Sequence, residues 1–340
     1  MRYLLCLLLL TQHLYAQRTH MQDSIYSEIY KDYRTINISL PEKYDQHQQS
    51  YPVIYALDGA RHFYILSSIN EYLTTGLYPQ MPQSIIVSIT QKDRTNELTP
   101  PLLNLEQTNF KTAGGADKFE VFLKNELLPY IDQKYKTTNF KTLIGHSFGG
   151  LFVSYLFTKE DNVFQQKLAI DPSYWWDNMS TIDRLNYKLS SIKNTKQKYY
   201  LAKAAISEKN KDHLWDHNTA ILKADSLFRK YTTEELYHFA FYENEDHGTI
   251  PVPATWDALK WFYKDYNFEV KSLLTDGNAL KKHYESLSTK AGYAILPDIT
   301  FIVSIDKFLM DRGKMIERKD FLNYVKSIYP NNNVVQSLKD

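Results

Sequence analysis

Apolar and polar positions alternate in two ways along this chain from about residue 33 onward. Residues 35–40 (TINISL) alternate as a half-exposed strand does, whereas 52–57 (PVIYAL) and 84–89 (SIIVSI) are continuous apolar runs typical of buried strands. Later apolar runs predict further strands at 142–146, 167–170, 199–206 and 236–242. Apolar residues at helical spacing predict helices at 117–135, 149–157, 213–231 and 254–266.

Strands that alternate with helices indicate an α/β fold with a mostly parallel central sheet flanked by helices. We expect the two earliest predicted strands, 35–40 and 52–57, to pair as a hairpin at one edge. After about residue 270 the strand-like runs stop, and 280–289, 299–311 and 319–328 predict three short helices. We therefore divide the chain into a main domain, 17–268, and a helical C-terminal appendage, 269–340, that packs on it as a structural cap.

The first sixteen residues have the pattern of a secretory signal peptide. Arg2 precedes a leucine-rich run that is too short to span a bilayer, and Ala16 offers a small residue for cleavage before Gln17. No later segment reaches the length of a membrane helix. We expect a secreted or periplasmic protein. Its only cysteine, Cys6, lies inside the signal, so the mature chain has no disulfide, no cysteine nucleophile and no cysteine metal ligand.

Charge and composition narrow the class of protein further. Lys plus Arg number 40 and Asp plus Glu number 39, a balance that argues against nucleic-acid binding. The 27 tyrosines offer flat apolar faces with polar tips, which suit pockets for rings or sugars, although most of them are expected at ordinary half-exposed positions.

The strongest motif is Gly145-His146-Ser147-Phe148-Gly149, which matches G-x-S-x-G between a predicted strand and a predicted helix. A nucleophilic serine needs a tight strand-to-helix turn, and neighbouring glycines permit that turn. The turn also lets the backbone N–H of Phe148 stabilise an oxyanion. The motif predicts a serine nucleophile, Ser147; the competing interpretation is a structural turn with an idle serine.

A serine nucleophile needs a base, and in this fold the base follows the last core strand. His247 lies in the loop after the strand predicted at 236–242, so we assign it as the base. Other histidines follow Ser147 in the chain: His213, His217, His238 and His283.

The triad acid is expected after the strand predicted at 199–206. We favour Glu208, with Asp212 and Asp216 next along the chain, and a Ser–His dyad stays open. The second half of the oxyanion hole is assigned to Asp58 and Gly59 at the end of the buried run 52–57; the alternative is an ordinary strand-end turn.

At these motifs the chain resembles the esterase family of α/β-hydrolases, which includes enterobactin-type siderophore esterases, S-formylglutathione hydrolases and feruloyl esterases. The resemblance spans about residues 34–266 and rests on motifs in the right order: YPVIYALDG, DRTNELTP, GGADKFEVFLKNELLPYI, GHSFGGL, DPSYWWDN and the His247 loop. It implies the same roles for Ser147, His247 and Phe148. It also implies that Arg94, Trp175 and Trp176 lie near the substrate pocket.

These observations predict hydrolysis of a carboxylic ester by a serine esterase that needs no metal or cofactor. By resemblance, the substrate is a siderophore ester or an acylated carbohydrate, and so a small molecule or a glycan. Two alternatives remain: a catalytically silent binding protein with the same fold, and an acyltransferase that uses the same residues.

Overall fold

The structure is a computed structural model of the 340-residue chain. It describes residues 18–46, 49–102, 109–159, 163–191, 196–205 and 215–339. The predicted signal segment, with Cys6, therefore lies outside the described residues. No helix among the described residues is long and apolar enough to cross a membrane.

One eight-stranded sheet, in the order β1-β2-β4-β3-β5-β6-β7-β8, forms the centre of the molecule. Strands β1 and β2 and the pair β2 and β4 are antiparallel, and every other neighbouring pair is parallel. The strands are β1 Thr19–Ser27, β2 Asp32–Leu40, β3 Tyr51–Ala56, β4 Ile85–Ile89, β5 Thr137–His146, β6 Gln166–Ile170, β7 Lys198–Ala204 and β8 Tyr237–Tyr242.

Helices flank the sheet and continue beyond its last strand. Those of the main domain are α1 Gly59–Thr74, α2 Arg94–Leu98, α3 Ala116–Phe122, α4 Leu128–Lys134, α5 Phe148–Phe157, α6 Trp176–Ser191, α7 Trp215–Tyr231 and α8 Pro251–Phe262. Those of the C-terminal region are α9 Ala279–Ala291, α10 Ile299–Met310, α11 Met315–Ile328 and α12 Asn333–Gln336. The helix predicted at 117–135 contains a π-helical turn, Leu123–Leu127, between α3 and α4.

The buried strands are apolar throughout because both faces of the sheet are covered. In β3, Val53 and Tyr55 pack into one apolar cluster and Ile54 and Ala56 into the other. This arrangement confirms the α/β class and the mostly parallel sheet.

The predicted hairpin between 35–40 and 52–57 is wrong. Strand β2 pairs with β1 and β4, and β3 pairs with β4 and β5, so β4 lies between the two strands that we expected to pair. The edge hairpin is instead β1 with β2. Strand β1, THMQDSIYS, has no clear apolar pattern, because a half-exposed edge strand carries mostly polar residues.

The C-terminal helices join an apolar cluster that extends from one face of the sheet. Leu280, Tyr284, Phe301 and Leu322 belong to the same buried apolar cluster as Ile54 of β3. Near the end of the chain, the Tyr329 hydroxyl donates to the Pro297 carbonyl oxygen at 2.9 Å. The three helices predicted after residue 270 are present, and their role as a structural cap stays a prediction. The boundary at 268/269 stays a prediction.

Candidate active site

Ser147 occupies a sharp turn between β5 and α5. Its backbone angles, φ 61° and ψ −116°, lie outside the regions that non-glycine residues ordinarily adopt. A Cβ on Gly145 would lie 2.3 Å from the backbone carbonyl of Gly149, so the turn closes only with glycine at position 145. The strained serine is therefore held by its neighbours at the end of β5, where it lines a cavity.

Two helix N-termini approach Ser147. Phe148 is the first residue of α5 and Gly59 the first of α1, so neither backbone N–H has a partner within its own helix. The amide of Asp58, by contrast, donates to Gln91 Oε1 at 2.9 Å. Of the residues assigned to the oxyanion hole, Phe148 and Gly59 thus offer helix-terminal N–H groups, and the Asp58 amide is engaged elsewhere.

Arg94 connects the loop at Asp58 and Gly59 to the turn at Ser147. Its guanidinium contacts both carboxylate oxygens of Asp58, at 2.5 and 3.0 Å, and donates to the His146 carbonyl oxygen at 3.1 Å. Asp58 itself has a left-handed backbone, with φ 55°. Arg94 lines the cavity that contains Ser147, and its contacts connect the two loops that face the serine; its contact with substrate stays a prediction.

His247 reaches the buried carboxylate of Asp171. Its Nδ1 lies 2.7 Å from Asp171 Oδ2, and His217 Nε2 lies 3.1 Å from the same oxygen. The other oxygen, Oδ1, accepts the backbone N–H of Ala204 at 3.0 Å. The carboxylate therefore accepts from two imidazoles and one amide.

These contacts decide the ionisation of Asp171. Burial alone raises the pKa of a carboxyl group, but the hydrogen bonds from His217 and His247 outweigh it and hold the pKa of Asp171 below its usual range. A buried, ionised carboxylate at Nδ1 favours the tautomer of His247 with its proton on Nδ1 and a free lone pair on Nε2.

The Ser147 hydroxyl contacts Ser173 Oγ at 3.3 Å. No hydrogen bond joins it to His247 in the described structure, although both side chains line the same cavity. A rotation about one bond re-aims a serine hydroxyl, and such contacts often tighten only when substrate is bound.

His146 lies beside His247, and His62 lies beside His146. The ring centroid of His146 is 4.4 Å from that of His247 and 6.0 Å from that of His62. Burial, followed by the neighbouring His247 and His62, lowers the pKa of His146 to about 3. Burial likewise lowers the pKa of His62. Both rings are therefore neutral near pH 7.

The cavity that contains Ser147 and His247 has a volume of about 490 Å³. It is large enough for a drug-sized molecule. Basic and imidazole side chains dominate its polar lining, together with one paired carboxylate: Arg61, Arg94, His62, His146, His247 and Asp58.

The tryptophans assigned to the pocket lie to one side of this cavity. Trp176 is 1% exposed and its Nε1 donates to the Pro100 carbonyl oxygen at 3.3 Å, while Trp175 is half-buried. Both stack around Phe148 and Phe110 in an aromatic cluster next to the serine turn. Neither is among the residues that line the cavity, and their substrate contact stays a prediction.

Glu208 and Asp212, the acids favoured from chain order, lie outside the described residues. Sequence reasoning did not single out Asp171 as an acid, because it follows β6 rather than β7. It missed His217 as Asp171's second partner. The available signal was position, since Asp171 directly ends the strand next to the one that leads to Ser147.

One group of three side chains among the described residues has the composition of a metal site: Asp171, His217 and His247. One potential ligand atom from each lies within 4.8 Å of the others.

The fold and this site define an α/β-hydrolase. The chain belongs to the Esterase family, described as "Putative esterase", which it matches over residues 27–259. It is a carboxylic ester hydrolase.

The chain is similar to several known proteins and solved structures. An IroE-like serine hydrolase from Shewanella oneidensis superposes with a TM-score of 0.77 at 26% identity, covering 92% of this chain and 100% of that one. The uncharacterized protein YbbA of Bacillus subtilis is 23% identical over 68% of this chain and 92% of its own. The ferri-bacillibactin esterase BesA of the same organism is 29% identical over 31% of this chain and 37% of its own.

Proposed function

We propose that this enzyme hydrolyses carboxylic esters through Ser147 as nucleophile, His247 as general base and Asp171 as the acid of the triad. The observation that carries the proposal is the 2.7 Å contact between His247 Nδ1 and Asp171 Oδ2, on the wall of the cavity that also holds Ser147. Sequence order favoured Glu208, and the described geometry supports Asp171 in its place.

The reaction runs in two halves. The Ser147 hydroxyl attacks the ester carbonyl while His247 Nε2 takes its proton, and the N–H groups of Phe148 and Gly59 stabilise the oxyanion. His247 then returns the proton to the departing alcohol, leaving an acyl-serine. Water, deprotonated by His247, attacks this acyl group and releases the carboxylic acid and the free serine.

The substrate class we propose is a siderophore ester, with an acylated carbohydrate as the second choice. Support comes from the names of the relatives, an IroE-like hydrolase and a ferri-bacillibactin esterase. The cavity lining agrees, because Arg61 adds a positive charge that favours a substrate with negative charge, whereas Arg94 is paired with Asp58. The N-terminal pattern at residues 1–16 supports an exported enzyme.

The test is labelling by a fluorophosphonate probe, which reacts with activated serines, alongside hydrolysis of a tris-catecholate lactone and of an acetylated xylan. Ser147→Ala should abolish labelling and turnover, and Asp171→Asn should lower kcat by at least about a hundredfold. Glu208→Gln is the matched control and should retain activity. The opposite ranking of the two acid variants would return the role to Glu208, and an unlabelled but folded wild type would indicate a silent binding protein.

A further inference from the structure

The three side chains at the base of the site present a metal-binding donor set. Asp171 Oδ2, His217 Nε2 and His247 Nδ1 converge within 4.8 Å of one another. Two imidazole nitrogens and one carboxylate oxygen, with a fourth position left for water, are the donors of three-ligand zinc sites. We propose that this trio binds a divalent transition-metal ion such as Zn²⁺ and that the bound ion switches the esterase off.

The distances are close to those that a tetrahedral ion requires. Bonds of about 2.0–2.2 Å place neighbouring ligand atoms roughly 3.3–3.5 Å apart. In this structure Asp171 Oδ2 is 2.7 Å from His247 Nδ1 and 3.1 Å from His217 Nε2. The two imidazole planes cross at 82° with centroids 5.9 Å apart, so the rings approach the carboxylate from different directions. The third pair, His217 Nε2 and His247 Nδ1, lies within 4.8 Å, so the ligand atoms need to move by at most about 1.5 Å to admit the ion.

The three residues of the proposed metal site differ in burial: two are held rigidly in the interior, and the third is accessible from the cavity. The side chains of Asp171 and His217 are buried, with 4% and 9% exposed. The side chain of His247 is 49% exposed, lies on a loop and lines the open cavity. His247 can thus shift to accommodate an ion that arrives through the cavity, while Asp171 and His217 stay in place.

Inhibition follows from the tautomer of His247, and this step rests on the proposed function. Catalysis needs a proton on Nδ1, donated to Asp171, and a lone pair on Nε2. A metal ion on Nδ1 requires the lone pair there, so the neutral ring carries its proton on Nε2 and has no lone pair to accept the serine proton. The ion also occupies the carboxylate that would stabilise the charged imidazole. A chelator that removes the ion restores the active tautomer.

A competing site must be separated from this one. The Nε2 atoms of His62 and His146 are buried without a hydrogen-bond partner, and both rings line the same cavity as His247. An ion bound there would depend on His146 and not on His217. The variants His217→Gln and His146→Gln therefore distinguish the two sites.

Binding is measured first in the Ser147→Ala protein, which keeps the trio and needs no turnover. Competition between the protein and a chromophoric zinc chelator should give one Zn²⁺ per chain. His217→Gln in that background should weaken binding at least about tenfold. His238→Gln, which removes an exposed histidine from β8, is the matched control and should bind as before. Circular dichroism shows whether each variant is folded.

Inhibition is measured next, with each variant compared with its own metal-free rate. Zn²⁺ should inhibit wild type and His146→Gln, EDTA should reverse it, and His217→Gln should need at least about tenfold more Zn²⁺. No saturable binding, or binding that His217→Gln leaves unchanged, would overturn the proposal. Binding by Ser147→Ala together with an inactive wild type would instead reject the esterase mechanism and leave the metal site standing.

Discussion

Because the ring of His146 is buried and neutral, the free energy of unfolding is expected to fall as the pH becomes acidic. The folded pKa is about 3, because of burial first and the nearby His247 and His62 second. An unfolded chain restores a pKa of about 6.5. As pH falls below 6.5, the unfolded chain takes up a proton on His146 that the folded chain does not, so the free energy of unfolding decreases until pH 3.

The size of the effect follows from the two pKa values. A pH of 5 lies about 1.5 units below the unfolded pKa of about 6.5, and each unit corresponds to about 1.4 kcal/mol. The free energy of unfolding at pH 5 is therefore about 2 kcal/mol lower than at pH 7.5. His146→Gln has a polar side chain of similar reach that does not titrate. It should therefore lose about 2 kcal/mol less than wild type over the same interval.

The assay is urea unfolding at pH 7.5 and pH 5.0, followed by tryptophan fluorescence, with the slope against urea checked at both pH values. Ser88→Ala, which alters a buried hydroxyl of β4 without a hydrogen-bond partner, is the control. It should shift stability equally at both pH values. If His146→Gln loses as much stability as wild type between the two, the reasoning from a buried neutral histidine is refuted.

Three further predictions concern the scaffold of the site and of the cap. Gly145→Ala places a Cβ 2.3 Å from the Gly149 carbonyl and should cost more than about 3 kcal/mol of stability or prevent folding, so a urea midpoint equal to wild type would contradict it. Arg94→Lys loses the two hydrogen bonds to the Asp58 carboxylate that hold the loop at Asp58 and Gly59, and should lower kcat about tenfold with little change in KM. An effect on KM alone would make Arg94 a binding residue. Arg318→Leu leaves the buried Asp306 without its partner at 2.7 Å and should destabilise the protein by about 3–5 kcal/mol in the same urea assay, whereas a neutral result would show that water reaches the carboxylate.

The parts of the fold that could be predicted from sequence are those in which burial produces a recognisable run or spacing of apolar residues. Strands β3 and β4 are covered on both faces and appear as continuous apolar runs. The turn at Ser147 could be read because its tight backbone requires Gly145. Edge strand β1 was missed because half of its residues face solvent.

The candidate site was only partly predictable for a different reason. Ser147 and His247 are recognisable from motif and chain order, but Asp171 meets His247 across 76 residues of sequence. Chain order places the acid after β7, whereas the described carboxylate comes from the end of β6. Which strand end lies within reach of the His247 imidazole depends on the three-dimensional arrangement of the strand ends, which chain order does not specify. His217 has no local signal either, since a histidine at the start of a helix is usually solvated.

The shared apolar cluster of the C-terminal helices and β3 has a consequence for how the enzyme is made. A chain emerges from the ribosome with its N-terminus first. The part of this apolar cluster that the C-terminal helices cover then stays exposed until the residues around Phe301 and Leu322 have been synthesised. The elements that carry the active site all lie before residue 263, whereas the C-terminal helices are synthesised after them. A nascent chain, or one truncated before these helices, would therefore present an apolar surface of the kind that holdase chaperones recognise.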